Sequence, residues 1–179
     1  MKILVVVHPD DEIIWFNPQM FDKIIICFLD RLDKFTMTVA RKRVLFRHPL
    51  KDKIKCLELP EPNFYKDSPR YQEIINQLKE LLTKEIEQAE VIYTHDPETG
   101  EYGHEDHKLV GQIVKEIAQC PVYALDMKAT SNTPNRIARP PNLPLFYQVR
   151  QLYQEENAWT WYGDFYPRHT LYYKKINEK

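Results

Sequence analysis

Two clusters of titratable residues carry the chemistry this sequence can offer: His8-Pro9-Asp10-Asp11-Glu12 and His104-Glu105-Asp106-His107. Imidazole and carboxylate groups in this pattern suit a catalytic zinc site. Such a site takes three protein ligands from His, Asp or Glu and leaves a further position for water. His8 and Asp11, three apart across a tight turn, can point at one ion, and His107 supplies a third ligand from a facing helix. His104 lies three residues before His107 and looks into the same cavity. Asp10, beside Asp11, is placed to take a proton from an activated water. Asp106 is a candidate to stand behind a ligand imidazole and accept its outer N–H. Each cluster alone has a plainer reading, since an Asp pair after a strand is often a helix N-cap and a His pair at i, i+3 is often a solvated helix face. Their combination favours the metal site.

The two clusters are far apart in the chain, so the fold must bring them together. Ile3 to Val7 is a continuous β-branched-rich run, the pattern of a strand buried on both faces of a parallel sheet. Similar runs at Lys23 to Leu29, Ile54 to Leu59, Val91 to Thr94 and Val122 to Leu125 complete a set of five. Between them, Arg70 to Ala89 spaces Ile74, Leu78, Leu81, Leu82 and Ile86 as one helical stripe, and Glu105 to Gln119 repeats the pattern. Val39 to Phe46 is a shorter helical candidate. This alternation predicts an α/β fold, a three-layer Rossmann-like sandwich with a mainly parallel five-stranded sheet. Both clusters then follow strand C-termini, the edge where open α/β sheets bind ligands. Gly100, Gly103 and Gly111, three of only four glycines, mark Asp96 to Gly103 as a turning loop. From about Lys128, Pro134, Pro140, Pro141 and Pro144 break regular structure. Residues 128–179 are therefore expected to form an irregular, aromatic-rich appendage on a single domain spanning 1–179.

Composition narrows the function classes. The chain has 179 residues and a net charge of −1, so a basic coat for nucleic acid is excluded. No apolar run approaches the roughly 20 residues that span a bilayer, and no secretion signal is visible after Met1. Cys27, Cys56 and Cys120 are odd in number and widely spaced, which predicts free thiols in a reducing, cytoplasmic compartment. The expected partner is a small molecule, and homo-oligomerisation is left open.

The segments His8 to Glu12 and Thr94-His95-Asp96-Pro97 through Gly100-Glu101-Tyr102-Gly103-His104-Glu105-Asp106-His107 resemble the two signatures of the PIG-L/LmbE deacetylases. These are zinc-dependent hydrolases that remove acetyl groups from N-acetylglucosamine units. The resemblance covers the order of elements from Met1 to about Leu125. It implies that His8, Asp11 and His107 bind zinc and that Asp10 is the general base. It also implies that His104, oriented by Asp106, stabilises the oxyanion or protonates the leaving amine. The chain departs from the family at Ile13 to Pro18, where a glycine-containing helix is usual, and it is short.

Weaker signals remain. His95 divides evenly between an ordinary loop or core histidine and a site residue. Arg41, Arg43 and Arg47 are read as a solvated helix face, and His48 and His169 as plain structural residues. Trp15, Trp159, Trp161, Tyr162 and Tyr166 fit a core or interface better than a platform for a sugar ring. The functional reading is a metal-dependent amidase acting on an N-acetylated amino sugar. A phosphoesterase ranks lower because two-metal phosphoryl chemistry calls for more carboxylates. A non-catalytic metal- or glycan-binding module would have no use for both Asp10 and His104.

Overall fold

Strands with no polar face must be covered on both sides, and that requirement organises the molecule. The computed structural model describes residues 1–161 and 168–179. In chain order its elements are β1 (Lys2–Val6), α1 (Asp11–Ile14), β2 (Lys23–Asp30), α2 (Phe35–Arg47), β3 (Ile54–Pro60), α3 (Arg70–Ile86), β4 (Val91–Thr94), α4 (Gly100–Gly103), α5 (Glu105–Ile117), β5 (Val122–Leu125), β6 (Ile137–Arg139), α6 (Leu143–Glu155) and β7 (Leu171–Lys175). The strands form one sheet in the order β3-β2-β1-β4-β5-β7-β6, parallel through the first five and antiparallel at β5-β7-β6.

Side chains of β1 and β2 alternate between two apolar layers. Leu4, Val6, Ile24 and Ile26 pack with residues of α1, α2 and α6. Ile3, Val5, Ile25 and Cys27 face the other way, against α3 and α5. This is the expected three-layer sandwich. Among the described residues no helix is long and apolar enough to cross a membrane, and the three cysteines are free.

Two expectations are corrected. The sheet has seven strands, not five, because the C-terminal part adds β6 and β7. Residues 128–179 are accordingly not an irregular appendage: they contain β6, α6 and β7, and Val149, Tyr153, Leu171 and Tyr173 enter the main core. The proline cluster misled because Pro144 sits within the first two positions of α6, where its missing N–H costs nothing.

The strand order reverses between β1 and β4, and both titratable clusters open from that point. The loop after β1 carries His8 to Glu12, and the loop after β4 leads through α4 into α5. At such a switch point adjacent loops leave the sheet in opposite directions and a crevice opens between them. The close approach of α5 to β4 depends on Gly111. A Cβ there would lie 2.5 Å from the His95 carbonyl oxygen and 3.0 Å from Pro97 N. Gly111→Ala must push α5 off the β4 loop. The expected loss is about 1–3 kcal/mol, read as a lower denaturant midpoint at unchanged m-value; an unaltered midpoint would show that the backbone yields freely.

Candidate metal centre

The β1 loop is wound tightly enough to strain its backbone. Asp10 adopts φ 97°, a left-handed conformation uncommon outside glycine. Glu12 holds it there: this fully buried carboxylate accepts the Asp10 N–H at 2.8 Å and the Tyr153 hydroxyl of α6 at 3.3 Å. His48, also buried, places Nε2 3.5 Å from the same carboxylate. The resulting turn aims Asp10 and Asp11 differently. Asp10 lines an open cavity and accepts a hydrogen bond from Thr160 Oγ1 at 3.1 Å. Asp11 turns inward, where Oδ2 accepts the His8 N–H at 2.8 Å and Oδ1 accepts Trp15 Nε1 at 3.1 Å.

Asp11 Oδ2 is the hub of the centre. Three imidazole nitrogens surround it: His107 Nε2 at 3.4 Å, His8 Nδ1 at 3.5 Å and His95 Nε2 at 3.6 Å. These separations suit ligands of a shared cation better than hydrogen bonds. The outer nitrogens face carboxylates. Glu101 Oε2 accepts from His107 Nδ1 at 2.6 Å and from His95 Nδ1 at 2.8 Å. Asp106 Oδ2 lies 3.6 Å from His8 Nε2. His8, Asp11 and His107 offer donor atoms all within 4.8 Å of one another, as do His8, His104 and Asp106. His95 Nε2, His107 Nε2 and Asp106 Oδ2 are buried with no hydrogen-bond partner, a costly state that a cation would relieve. The residues present therefore fit a divalent metal.

The electrostatics agree. Burial alone would lower His107, but the carboxylates of Asp11 and Glu101 push it up to about 10. His8 likewise rises to about 9 against its burial, drawn by Asp106 and Asp11. Asp11 stays well below the usual carboxylate range despite burial, held by His107. Burial and the adjacent Asp11 charge push Asp10 well above it. His104 is depressed to about 4 by burial and the neighbouring imidazoles, so its ring is neutral near pH 7. Its Nδ1 accepts the Asp106 backbone N–H at 3.2 Å, which leaves the ring proton on Nε2. Asp106 thus reaches His104 through its backbone, while its carboxylate faces His8. His104 is the N-cap of α5, one residue before the helix proper.

The cavity beside the hub holds about 330 Å³ and is lined by His8, Asp10, Asp11 and His104, by Arg31, Arg41 and Glu61, and by Tyr102, Thr160 and Trp161. Arg41 corrects the reading of a solvated helix face: it is 4% exposed and pairs with Glu61 Oε1 at 2.6 Å. Arg43 and Arg47 are the exposed ones and face Glu155 and Glu156 of α6. Trp15 lies behind the wall, 5.8 Å from the Tyr102 ring and 5.3 Å from Trp161. Trp159 packs instead toward Phe146 and Tyr153. Tyr162 and Tyr166 are outside the described residues. Sequence reasoning gave no role to Glu101 and Glu61, two among the 26 acidic residues of a chain with 25 basic ones. The signal available for Glu101 was its place in the glycine-punctuated segment leading into His104.

Comparisons with known proteins bear on the fold. No family model matches the chain. An uncharacterized protein of Acanthamoeba polyphaga mimivirus is 23% identical over 171 residues, 87% of this chain and 72% of that protein. A deacetylase solved with teicoplanin, from the teicoplanin biosynthesis pathway, superposes with a TM-score of 0.62 at 6% identity, covering 98% of this chain and 99% of that one. The N,N'-diacetylchitobiose deacetylase of Pyrococcus horikoshii gives 0.57 at 15% identity, covering 91% and 71%. These neighbours are deacetylases of the PIG-L/LmbE type, and the chain shares their fold. The resemblance carried by the two motifs thus holds in the architecture.

The Arg41–Glu61 pair generates a prediction. Glu61→Ala would leave a guanidinium buried without its partner, which costs roughly 3 kcal/mol. Thermal or denaturant unfolding measures it, and a change within 0.5 kcal/mol, about the size of a neutral surface substitution, would mean that cavity water solvates Arg41 fully.

Proposed function

We propose that the chain is a zinc-dependent hydrolase that removes the acetyl group from an N-acetylglucosamine-type amino sugar or a conjugate of it. The observation that carries this reading is the buried convergence of imidazole nitrogens on Asp11 Oδ2, beside a cavity lined by Asp10 and His104. The deacetylase chemistry of the structural neighbours supports it. His8, Asp11 and His107 are the ligand set. Imidazole and carboxylate donors suit zinc. When bound, zinc polarises the amide carbonyl and makes water acidic enough to attack near neutral pH.

The chain's own residues do the rest. Asp10, facing the cavity and held by Thr160, accepts the proton of the attacking water. As the tetrahedral centre forms, negative charge develops on the former carbonyl oxygen. His104 donates to that oxygen from Nε2–H, and as a neutral ring it does so without first taking up a proton. The C–N bond then breaks, and the proton held by Asp10 passes to the departing nitrogen, leaving acetate and a free amine. Glu101 fixes the His107 ring by holding its outer nitrogen, and the Asp106 carboxylate faces that of His8. A cavity of about 330 Å³ is near the lower end of small-molecule sites, roughly 300–1,000 Å³. It suits one sugar ring with its acetamide, so larger substrates must extend past Tyr102, which is 54% exposed.

Purified protein should carry about one divalent ion per chain. His107→Ala should lose most of it and Cys56→Ala none. Asp10→Asn should keep the metal but release acetate about 100-fold more slowly from N-acetylglucosamine or a small conjugate. Wild-type turnover in that variant would remove Asp10 from the mechanism.

The raised His8 and His107 groups, at about 9 and about 10, also set a pH dependence. Below those values both rings hold protons that an ion must displace, so metal affinity is weakest in acid. It should climb about tenfold per pH unit for each proton displaced and flatten as pH passes 10. Chelator competition across pH 6 to 9 measures the slope; a flat profile would exclude the two imidazoles as ligands.

A further inference from the structure

Glu101 sits where an acidic residue is least expected. Its backbone, at φ 60° and ψ −65°, is close to the γ-turn conformation that is rare and strained for residues with a side chain. Its carboxylate is nonetheless buried. Oε2 takes both the His107 and His95 Nδ1 contacts, and Oε1 accepts the Asp96 N–H at 3.0 Å. Strain of this kind persists where the surrounding structure over-determines it, and it marks functional positions.

The double contact has a chemical consequence. A carboxylate has no proton to give, so both Nδ1 atoms are donors, and once a metal ion displaces the proton on His107 both rings present a lone pair on Nε2. The two rings lie 3.9 Å apart at a tilt of 35°, and each turns that lone pair toward Asp11 Oδ2. These lone pairs and the carboxylate oxygen would repel one another unless a proton or a metal ion lies among them. For an ion with donors at about 2.1 Å, the edge of a tetrahedron is about 3.4 Å. The His107, His8 and His95 separations from Asp11 Oδ2, at 3.4, 3.5 and 3.6 Å, are all close to that edge. A three-ligand centre uses two of these nitrogens and abandons the third, although His95 is fully buried and its Nε2 has no other partner.

Building on the metal-hydrolase reading above, we propose that His95 is a fourth protein donor to the ion, presented by Glu101. His8 and Asp11 line the cavity and His95 does not, so the extra donor arrives from the closed side. The cavity side stays free for water or substrate as a fifth position, a coordination number that catalytic zinc adopts. Glu101 is then the positioning residue for two ligands at once, which accounts for a glutamate kept at a backbone angle that suits glycine.

X-ray absorption on the zinc-loaded full chain counts imidazole donors directly. The wild type should show three, and His95→Gln two. By competition with a chelator, zinc affinity should fall about 10- to 100-fold in His95→Gln and in Glu101→Gly, while His169→Gln, altering an exposed histidine outside the centre, leaves it unchanged. Glu101→Gly relieves the strained backbone, so lowered affinity there cannot come from the strain itself. If His95→Gln fails to fold, the wild-type count alone decides. Two imidazoles in the wild type, or unaltered affinity in the folded variant, would overturn the fourth donor and leave the hydrolase reading intact. A wild type that takes up no zinc would overturn both.

Discussion

The costliest feature of this molecule is the collection of acidic oxygens and nitrogen lone pairs that it buries around Asp11. Left to themselves, Asp11, Glu101, Asp106 and the imidazoles of His8, His95 and His107 would be solvated or protonated. They stay together because the elements carrying them cannot move apart. β1 and β4 are adjacent, hydrogen-bonded strands, and β1 is enclosed by apolar layers on both faces. α5 lies against the backbone of the β4 loop at a distance only glycine permits. The apolar sandwich thus offsets the cost of the site.

Two of the five non-glycine residues with positive φ among the described ones belong to the site. Asp10 at φ 97° and Glu101 at φ 60° each sit next to a group aimed at the hub or the cavity. Each is pinned through a buried carboxylate: Glu12 accepts the Asp10 N–H, and Glu101 uses its own side chain to reach His95, His107 and the Asp96 N–H. These glutamates act as internal clamps that make an unfavourable turn the best available one. Removing a clamp would release the turn, so the geometry of the site and that of its loops are one property here.

Much of this was legible in the sequence, and the division follows physical lines. The five parallel strands could be read because burial on both faces forces continuous apolar runs. Strands β6 and β7 could not. β6 has three residues, and β7 reads LYYKK with Lys174 and Lys175 at its end, so neither carries that signature. His8, Asp10, Asp11, His104, Asp106 and His107 stood out because they cluster within short segments. His95, Glu101, Arg41 and Glu61 reach the site through tertiary packing, which local spacing does not encode. Arg41 shows why: on a helix whose charged residues are all basic it is indistinguishable from Arg43 until Glu61 is known to lie opposite.

The C-terminal part ties the cavity beside Asp10 to the stability of the sheet. Tyr153 of α6 packs in the core and donates to Glu12, which holds the Asp10 turn. Just beyond α6, Thr160 donates to Asp10 and Trp161 forms part of the cavity wall with Tyr102. β7 then returns to pair with β5, placing Tyr173 against Phe16 and Tyr93. A segment whose composition reads as an irregular, aromatic-rich appendage therefore contributes to both the core and the cavity wall. Cutting the chain at Trp159 would remove a strand, a buried tyrosine and the partner of Asp10 together. Under the proposed hydrolase reading, substrate selectivity is best probed by point changes on the cavity wall, at Trp161 of this part or at Tyr102 of α4, which leave the backbone in place.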